Sequence, residues 1–350
     1  PANTSRVTLN AGAGSVSLQS FSLGGSLVVE GGSLQVAGGI TTAGYAQSGG
    51  AVSTPGAFRV TGNFDQTLGN LNAASVEVTR VSGDIVVGNI TAPTVTLTAQ
   101  SGAIRQSGAI QQAALTTRST AGTLLLSTGN RLSSFSAANT GTGDIELVNT
   151  GVLTTSGITN TGGNIKITNT GGISSLDEGL ISASSPGAKV SLTANSPLSI
   201  GASGIVAGGD IALVATNLTS AGNITLNGPI ESKAGAVALT AANNLTQNSS
   251  VLAPLGVSAA AGGTLTLGPT ATSGYQPVSY QVNSLPVAPP RSPASSNSAT
   301  DLVVALMTTA TDPVVDRSVT PLESLITKDK DRDRDSSKAL IVSEGQVCRP

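Results

Sequence analysis

Short runs in which aliphatic and small polar residues alternate recur along most of this chain. Examples are Val16-Ser17-Leu18, Val76-Glu77-Val78, Val95-Thr96-Leu97, Val190-Ser191-Leu192, Ile224-Thr225-Leu226 and Leu265-Thr266-Leu267. A period of two puts the aliphatic side chains on one face of a strand and the Ser, Thr or charged residue on the other. Many of these runs start after Gly, as in Gly83-Asp84-Ile85, Gly143-Asp144-Ile145 and Gly209-Asp210-Ile211. No stretch before residue 300 has the i, i+3, i+4, i+7 spacing of an amphipathic helix. The chain therefore reads as many short strands separated by tight corners.

A longer period lies over the short one. Residues 143–151 read GDIELVNTG and residues 163–171 read GNIKITNTG, an offset of 20. Asn-Thr-Gly starts at Asn139, Asn149, Asn160 and Asn169, which makes two interleaved series stepping by 21 and 20 residues. Fixed-period self-similarity marks a solenoid, in which each repeat buries its apolar face only against its neighbours. A propeller blade needs roughly 40–50 residues, and no helical half is present. The fold class predicted is all-β: a right-handed parallel β-helix with coils of about 20–22 residues, followed by a largely irregular C-terminal tail. Ile145 is expected to stack on Ile165 and Leu147 on Ile167, with Glu146 and Lys166 side by side outside. Roughly a dozen coils at ~4.8 Å each give a rod on the order of 60 Å. The four Asn-Thr-Gly asparagines are expected to form a structural ladder at corners, where Asn tolerates the left-handed conformation and stacked amides bond from coil to coil.

Glycine places the boundaries. Of 43 glycines only Gly345 lies beyond Gly274, and Pro277, Pro286, Pro289, Pro290 and Pro293 follow. The shaft is assigned to residues 1–274, a Pro/Ser-rich linker to 275–299 and a C-terminal tail to 300–350. Within the tail, Asp301–Thr309 is expected to form a short helix and Ala339–Val342 a strand. The alternating charges from Lys328 to Asp335 are expected to face water.

Composition removes whole classes of function. The 350 residues carry a formal charge of −2 with only 10% charged residues, so no basic face exists to bind nucleic acid. Hydrophobic residues at 39% in regular alternation suffice for a continuous core. No run of about 18 apolar residues is present to span a lipid bilayer. Histidine is absent, which excludes imidazole triads and most zinc sites. No cofactor, catalytic or metal site is assigned.

The remaining enzymatic reading is a polysaccharide lyase or hydrolase acting through clustered carboxylates, with an arginine such as Arg105, Arg118 or Arg131 in reach. Asp84, Asp144 and Asp210 share the Gly-Asp-Ile position and would align if they share a corner. The competing reading, given more weight, is that they cap turn N–H groups, since Asn164 and Asn223 occupy equivalent places. The Asp-x-Asp run at 329–335 lacks the glycine and terminal Glu of a calcium loop.

The phrases GDIELVNTG, GNIKITNTG and GDIALVATN resemble the β-helical shafts of filamentous haemagglutinin-like exoproteins, the adhesins of Gram-negative two-partner secretion. That resemblance implies a secreted or cell-surface adhesin whose partners are an outer-membrane translocator barrel and host glycans or surface proteins. The proline-rich linker, charged segment and cysteine-bearing terminus are similar to the high-molecular-weight adhesin branch, whose C-terminus tethers the adhesin at the outer membrane. Cys348, the single cysteine, is the tethering candidate this implies, although that branch carries a cysteine pair. By this likeness the chain is a C-terminal portion of such an exoprotein.

Overall fold

The computed structural model describes residues 5–218, 221–275, 277–290, 341–343 and 346–348. Two compact units are present, Pro1–Ala294 and Ser295–Pro350. Among the described residues there are strands and turns but no helix.

The first unit is a parallel β-helix, and its thirty strands form one continuous hydrogen-bonded sheet. Its architecture is clearest along one inward column. Val7 pairs with Leu27, Leu27 with Tyr45 and Tyr45 with Phe64. Asp65 next to Phe64 pairs with Val86, which carries the column to Ile85 and then Ile104, Thr123, Ile145 and Ile165. It continues through Val190, Ile211, Val237, Val257 and Val278. Fourteen residues in this column mean fourteen coils, somewhat more than the dozen expected. The step is 20 residues from Val7 to Leu27 and 18 to Tyr45, but 25 from Ile165 to Val190 and 26 from Ile211 to Val237.

A later coil shows the unit of construction, with three short strands at Val190–Ala194, Leu198–Ile200 and Ile205–Ala207. Each follows the two-residue alternation, with every inward position buried. The expected stacking is present: Ile145 lies against Ile165 and Leu147 against Ile167, while Glu146 and Lys166 are outward neighbours. All four aliphatic side chains are at most 1% exposed. The interior is a single aliphatic column widened near its start by Tyr45, Phe58 and Phe64, whose rings lie 4.9 and 5.4 Å from Tyr45. Glycine turns the chain where the left-handed region is needed: Gly83 and Gly143 have φ of 89° and 98° directly before Asp84 and Asp144.

The β-helix runs past Gly274. Val278–Val282 pairs parallel with Val257–Ala261 as the start of a fourteenth coil, and Leu285–Val287 then folds back antiparallel on it. This coil falls within the segment assigned to a linker. Glycine loss proved a poor marker because Tyr280, 1% exposed, fills the interior where earlier coils place smaller residues. In the second unit, Ile341–Ser343 and Gln346–Cys348 form an antiparallel pair. The helix expected at Asp301–Thr309 and the charged run at 328–335 lie outside the described residues.

Candidate functional site

The four Asn-Thr-Gly asparagines lie inside the coil. Asn139 is paired with Asn160 and Asn149 with Asn169, and all four are at most 2% exposed. Asn139 Nδ2 donates to Asn160 Oδ1 at 2.9 Å, and Asn149 Nδ2 donates to Asn169 Oδ1 at 3.1 Å. The two interleaved series are thus two corners of the same coils. Neither uses the left-handed backbone expected of it. Among the described residues, the non-glycine positions with positive φ are Gln112, Tyr275, Asn283 and Ser284. The asparagines instead satisfy buried turn groups: Asn139 Nδ2 also reaches the carbonyls of Gly141, Thr142 and Gly143, and its Oδ1 accepts from Gly122 N–H at 3.1 Å. A short amide offers donor and acceptor together, which suits a buried corner that exposes both kinds of backbone group. The next coil carries Ala183 and Ala194 at these positions, and each ladder ends there.

Glutamine does similar work in other coils, without any motif to announce it. Gln66 Nε2 donates to Gln47 Oε1 at 3.1 Å, and Tyr45 OH donates to the same oxygen at 2.7 Å. Burial holds the Tyr45 phenol well above the ordinary tyrosine range. Near the other end Tyr280 OH donates to Gln247 Oε1 at 2.7 Å, and burial pushes its pKa up to about 12.

The Gly-Asp-Ile carboxylates do share a column, since Ile85, Ile145 and Ile211 stand in one. They are not adjacent in it. Two coils separate Asp84 from Asp144, and Asn164 and Lys189 separate Asp144 from Asp210. Neighbouring carboxylates are therefore three coil steps apart, about 14 Å. Each accepts the N–H of the residue stacked on it one coil later: Ala103 on Asp84 at 2.8 Å, Asn164 on Asp144 at 2.7 Å and Ala236 on Asp210 at 3.0 Å. Asn164 does the same for Lys189 at 2.9 Å, and Asn223 for Asn244 at 3.1 Å. The second oxygen of Asp84 meets Arg105 Nε at 3.0 Å, and that of Asp210 meets Lys189 Nζ at 2.8 Å. The Ala103 N–H, then Arg105, hold the Asp84 carboxyl below its usual range. Lys189, then the Ala236 N–H, do so for Asp210.

Of the three arginines named for catalysis, Arg105 pairs with a single carboxylate, while Arg118 and Arg131 make no ion pair among the described residues. Two surface depressions, of about 350 and 200 Å³, are lined by residues such as Gln19, Gln35 and Ser53, or Leu255, Pro277 and Ser279, and hold no titratable side chain. No group of three or more Cys, Asp or Glu residues placed to hold a metal occurs among the described residues. No helix there is long and apolar enough to cross a membrane. Cys348 ends the second strand of the C-terminal pair, opposite Ile341.

One outward column stands apart. Ser75 pairs with Thr94, then Ala114, Ser134 and Thr154 follow. Ser174, Ser199, Thr225, Thr246 and Thr266 complete it. Counting Ala57, which pairs with Ser75 one coil earlier, nine of its eleven positions carry a hydroxyl, and all eleven are at least partly exposed. None of these hydroxyls has a hydrogen-bond partner among the described residues. On another face, the outward column from Asp65 to Ser279 passes through Val86, Arg105, Leu124, Glu146, Lys166, Ser191 and Ala212. That column mixes acidic, basic, aliphatic and small side chains, whereas the hydroxyl column does not.

The family model described as Toastrack DUF4097 matches residues 51–184, less than half of the chain. That span covers both asparagine ladders and the first half of the hydroxyl column. No curated protein and no solved structure matches the chain. What the coils and this match jointly support is a β-helical repeat protein.

Proposed function

We propose that this protein is the shaft of a secreted, adhesin-type surface protein, structural and binding in role rather than enzymatic. The observation that carries the reading is the employment of its outward carboxylates. Asp84, Asp144 and Asp210 each tie one coil to the next through a backbone N–H, singly and three coil steps apart. A glycosidase needs two carboxyl groups within about 10 Å, and this column has no such pair. The resemblance of the coil phrases to two-partner exoproteins supports export through an outer-membrane translocator barrel and presentation at the bacterial cell surface, with host glycans or surface proteins as ligands. In the same reading the C-terminal pair ending at Cys348 is the attachment element.

Two experiments test it. Purified protein should bind host cells or immobilised glycans while leaving polysaccharides intact. Cleavage of a polysaccharide that is lost on mutating Arg105 or Asp84 would reverse the assignment to an enzyme. Replacing Cys348 with Ser should release more protein into the medium, and unchanged surface retention would remove Cys348 from the tether.

A further inference from the structure

We infer that the hydroxyl column is a docking track for a neutral, linear, β-linked polysaccharide lying along the solenoid axis. This rests on the reading of the shaft as a binding surface and specifies where and what it binds. Three properties of the column point to this ligand. From Ser75 to Thr266 it presents one hydroxyl per coil except at Ala114, so its repeat is the coil spacing of ~4.8 Å. That is close to the advance of one sugar residue in an extended β-linked glycan, whose hydroxyls donate and accept as Ser and Thr do. Next, the column contains no charged residue, which disfavours acidic glycans and favours neutral ones. Finally, its hydroxyls are unspent, unlike the corner Asp and Asn side chains, which bond the next coil.

Strand propensity does not account for the pattern. Thr suits strands but Ser does not, and Ser holds four of the nine hydroxyl positions, Ser75, Ser134, Ser174 and Ser199. Solvent exposure does not account for it either, because the column from Asp65 to Ser279 is outward too and mixes acidic, basic, aliphatic and small residues. At the coils of Thr225 and Thr246 the track is broadened by flanking amides. Asn223 and Asn227 bracket Thr225, Asn244 and Asn248 bracket Thr246, and Asn248 Nδ2 donates to Asn227 Oδ1 at 2.9 Å.

No aromatic residue stands in the column to stack on a sugar ring, so each sugar is held by hydrogen bonds alone. Binding must then come from repetition. Once one sugar is seated the next contact is intramolecular, and avidity exceeds that of a single site by a factor of 10²–10⁴, roughly. Short oligosaccharides should not be retained and long ones should.

The test uses the full chain and a length series of unmodified β-1,4-glucan oligosaccharides together with a soluble mixed-linkage β-glucan polymer. Retention on biosensor or affinity electrophoresis should rise steeply with chain length. The triple variant Thr225→Val, Thr246→Val and Thr266→Val keeps shape and strand propensity while deleting three hydroxyls. It should lose at least about tenfold of polymer affinity with an unchanged far-UV spectrum. Ser258→Ala with Ser279→Ala, on the other outward column, should leave affinity intact. Equal losses in both variants, or retention independent of chain length, would overturn the track. If no glucan in the series binds while the protein still binds host cells, the track fails and the adhesive reading stands. If cell binding also fails, both fall.

Discussion

Replacing Asn139 with Ala should destabilise the β-helix by about 2–4 kcal/mol, and the structure shows where that figure comes from. The groups that Asn139 bonds differ in what they have left once it is gone. The buried Gly122 N–H loses its acceptor at 3.1 Å and has no other, which costs about 1–3 kcal/mol. The Gly143 carbonyl keeps a second donor, Asn160 Nδ2 at 3.0 Å, and Asn160 Oδ1 keeps the Gly162 N–H at 3.2 Å. The carbonyls of Gly141 and Thr142 lie at a partly open turn, where water replaces the lost amide, so only about 1 kcal/mol is added. Thr140, exposed beside it, supplies the control, and its Ala variant should stay within about 0.5 kcal/mol of the parent. Urea unfolding followed by far-UV circular dichroism measures both, provided the slopes agree, since a repeat array that lost coils in stages would change the slope. A double variant with Asn160→Ala should cost less than the two single variants together, by about 0.5–3 kcal/mol. An Asn139→Ala protein within about 0.5 kcal/mol of the parent would refute the claim that this amide holds the corner.

Asn139→Asp should be worse still above pH about 4, because the buried carboxyl has no cation beside it and its folded pKa is raised. Stability then falls as pH rises past the unfolded value, and acidification to pH about 3 should restore most of it. Asp84 and Asp210 carry the opposite sign: their folded pKa values are lowered, so their contribution is present above about pH 4 and lost as pH falls through the folded values. Both are about half exposed, so each should be worth under about 1 kcal/mol between pH 7 and 3 in urea titrations. Asp144→Asn should be nearly neutral because the amide oxygen still receives the Asn164 N–H, whereas Asp144→Ala strands that donor and should lower the urea midpoint measurably. Tyr280→Phe should remove the absorbance step near pH 12 that belongs to the buried phenol and cost about 1 kcal/mol from the lost bond to Gln247. Gly171→Ala should destabilise far more than Gly14→Ala, because its new Cβ would run into the Gly151 carbonyl one coil back, a contact that thermal melts will register.

The elements most legible in the sequence were those set by period two. Ile145, Leu147, Ile165 and Ile167 alternate with Glu146 and Lys166, and a strand with one face buried has no other register open to it. The pairing of Asn139 with Asn160 followed from the twenty-residue period, but its physical cause did not. A corner asparagine suggests a left-handed backbone, whereas these act through both ends of a buried amide, and nothing local separates the two. The end of the shaft was misplaced because glycine tracks tight corners rather than coils, and the last coil turns on Pro277 and fills its interior with Tyr280. The hydroxyl column was invisible for a geometric reason. Coils between 18 and 26 residues long destroy any constant offset, so Ser199 and Thr225 are neighbours only once the register is known.

That variable coil length has a consequence for how such a chain changes over time. The stack counts coils, not residues. Most of the extra residues of the 25-residue coil gather in the turn between Ser175 and Ile181, with the rest between Ala183 and Val190, and most of those of the 26-residue coil gather around Leu218, which is 89% exposed. Neither displaces the columns that follow. Lengthening a surface loop costs only as the logarithm of its length, so these two turns are ports where sequence can be added or exchanged without touching the ladder. A short epitope inserted after Asn217 should therefore be displayed at a fixed height on the shaft. The same chain can hold its long polar track constant while the corners beside it diversify.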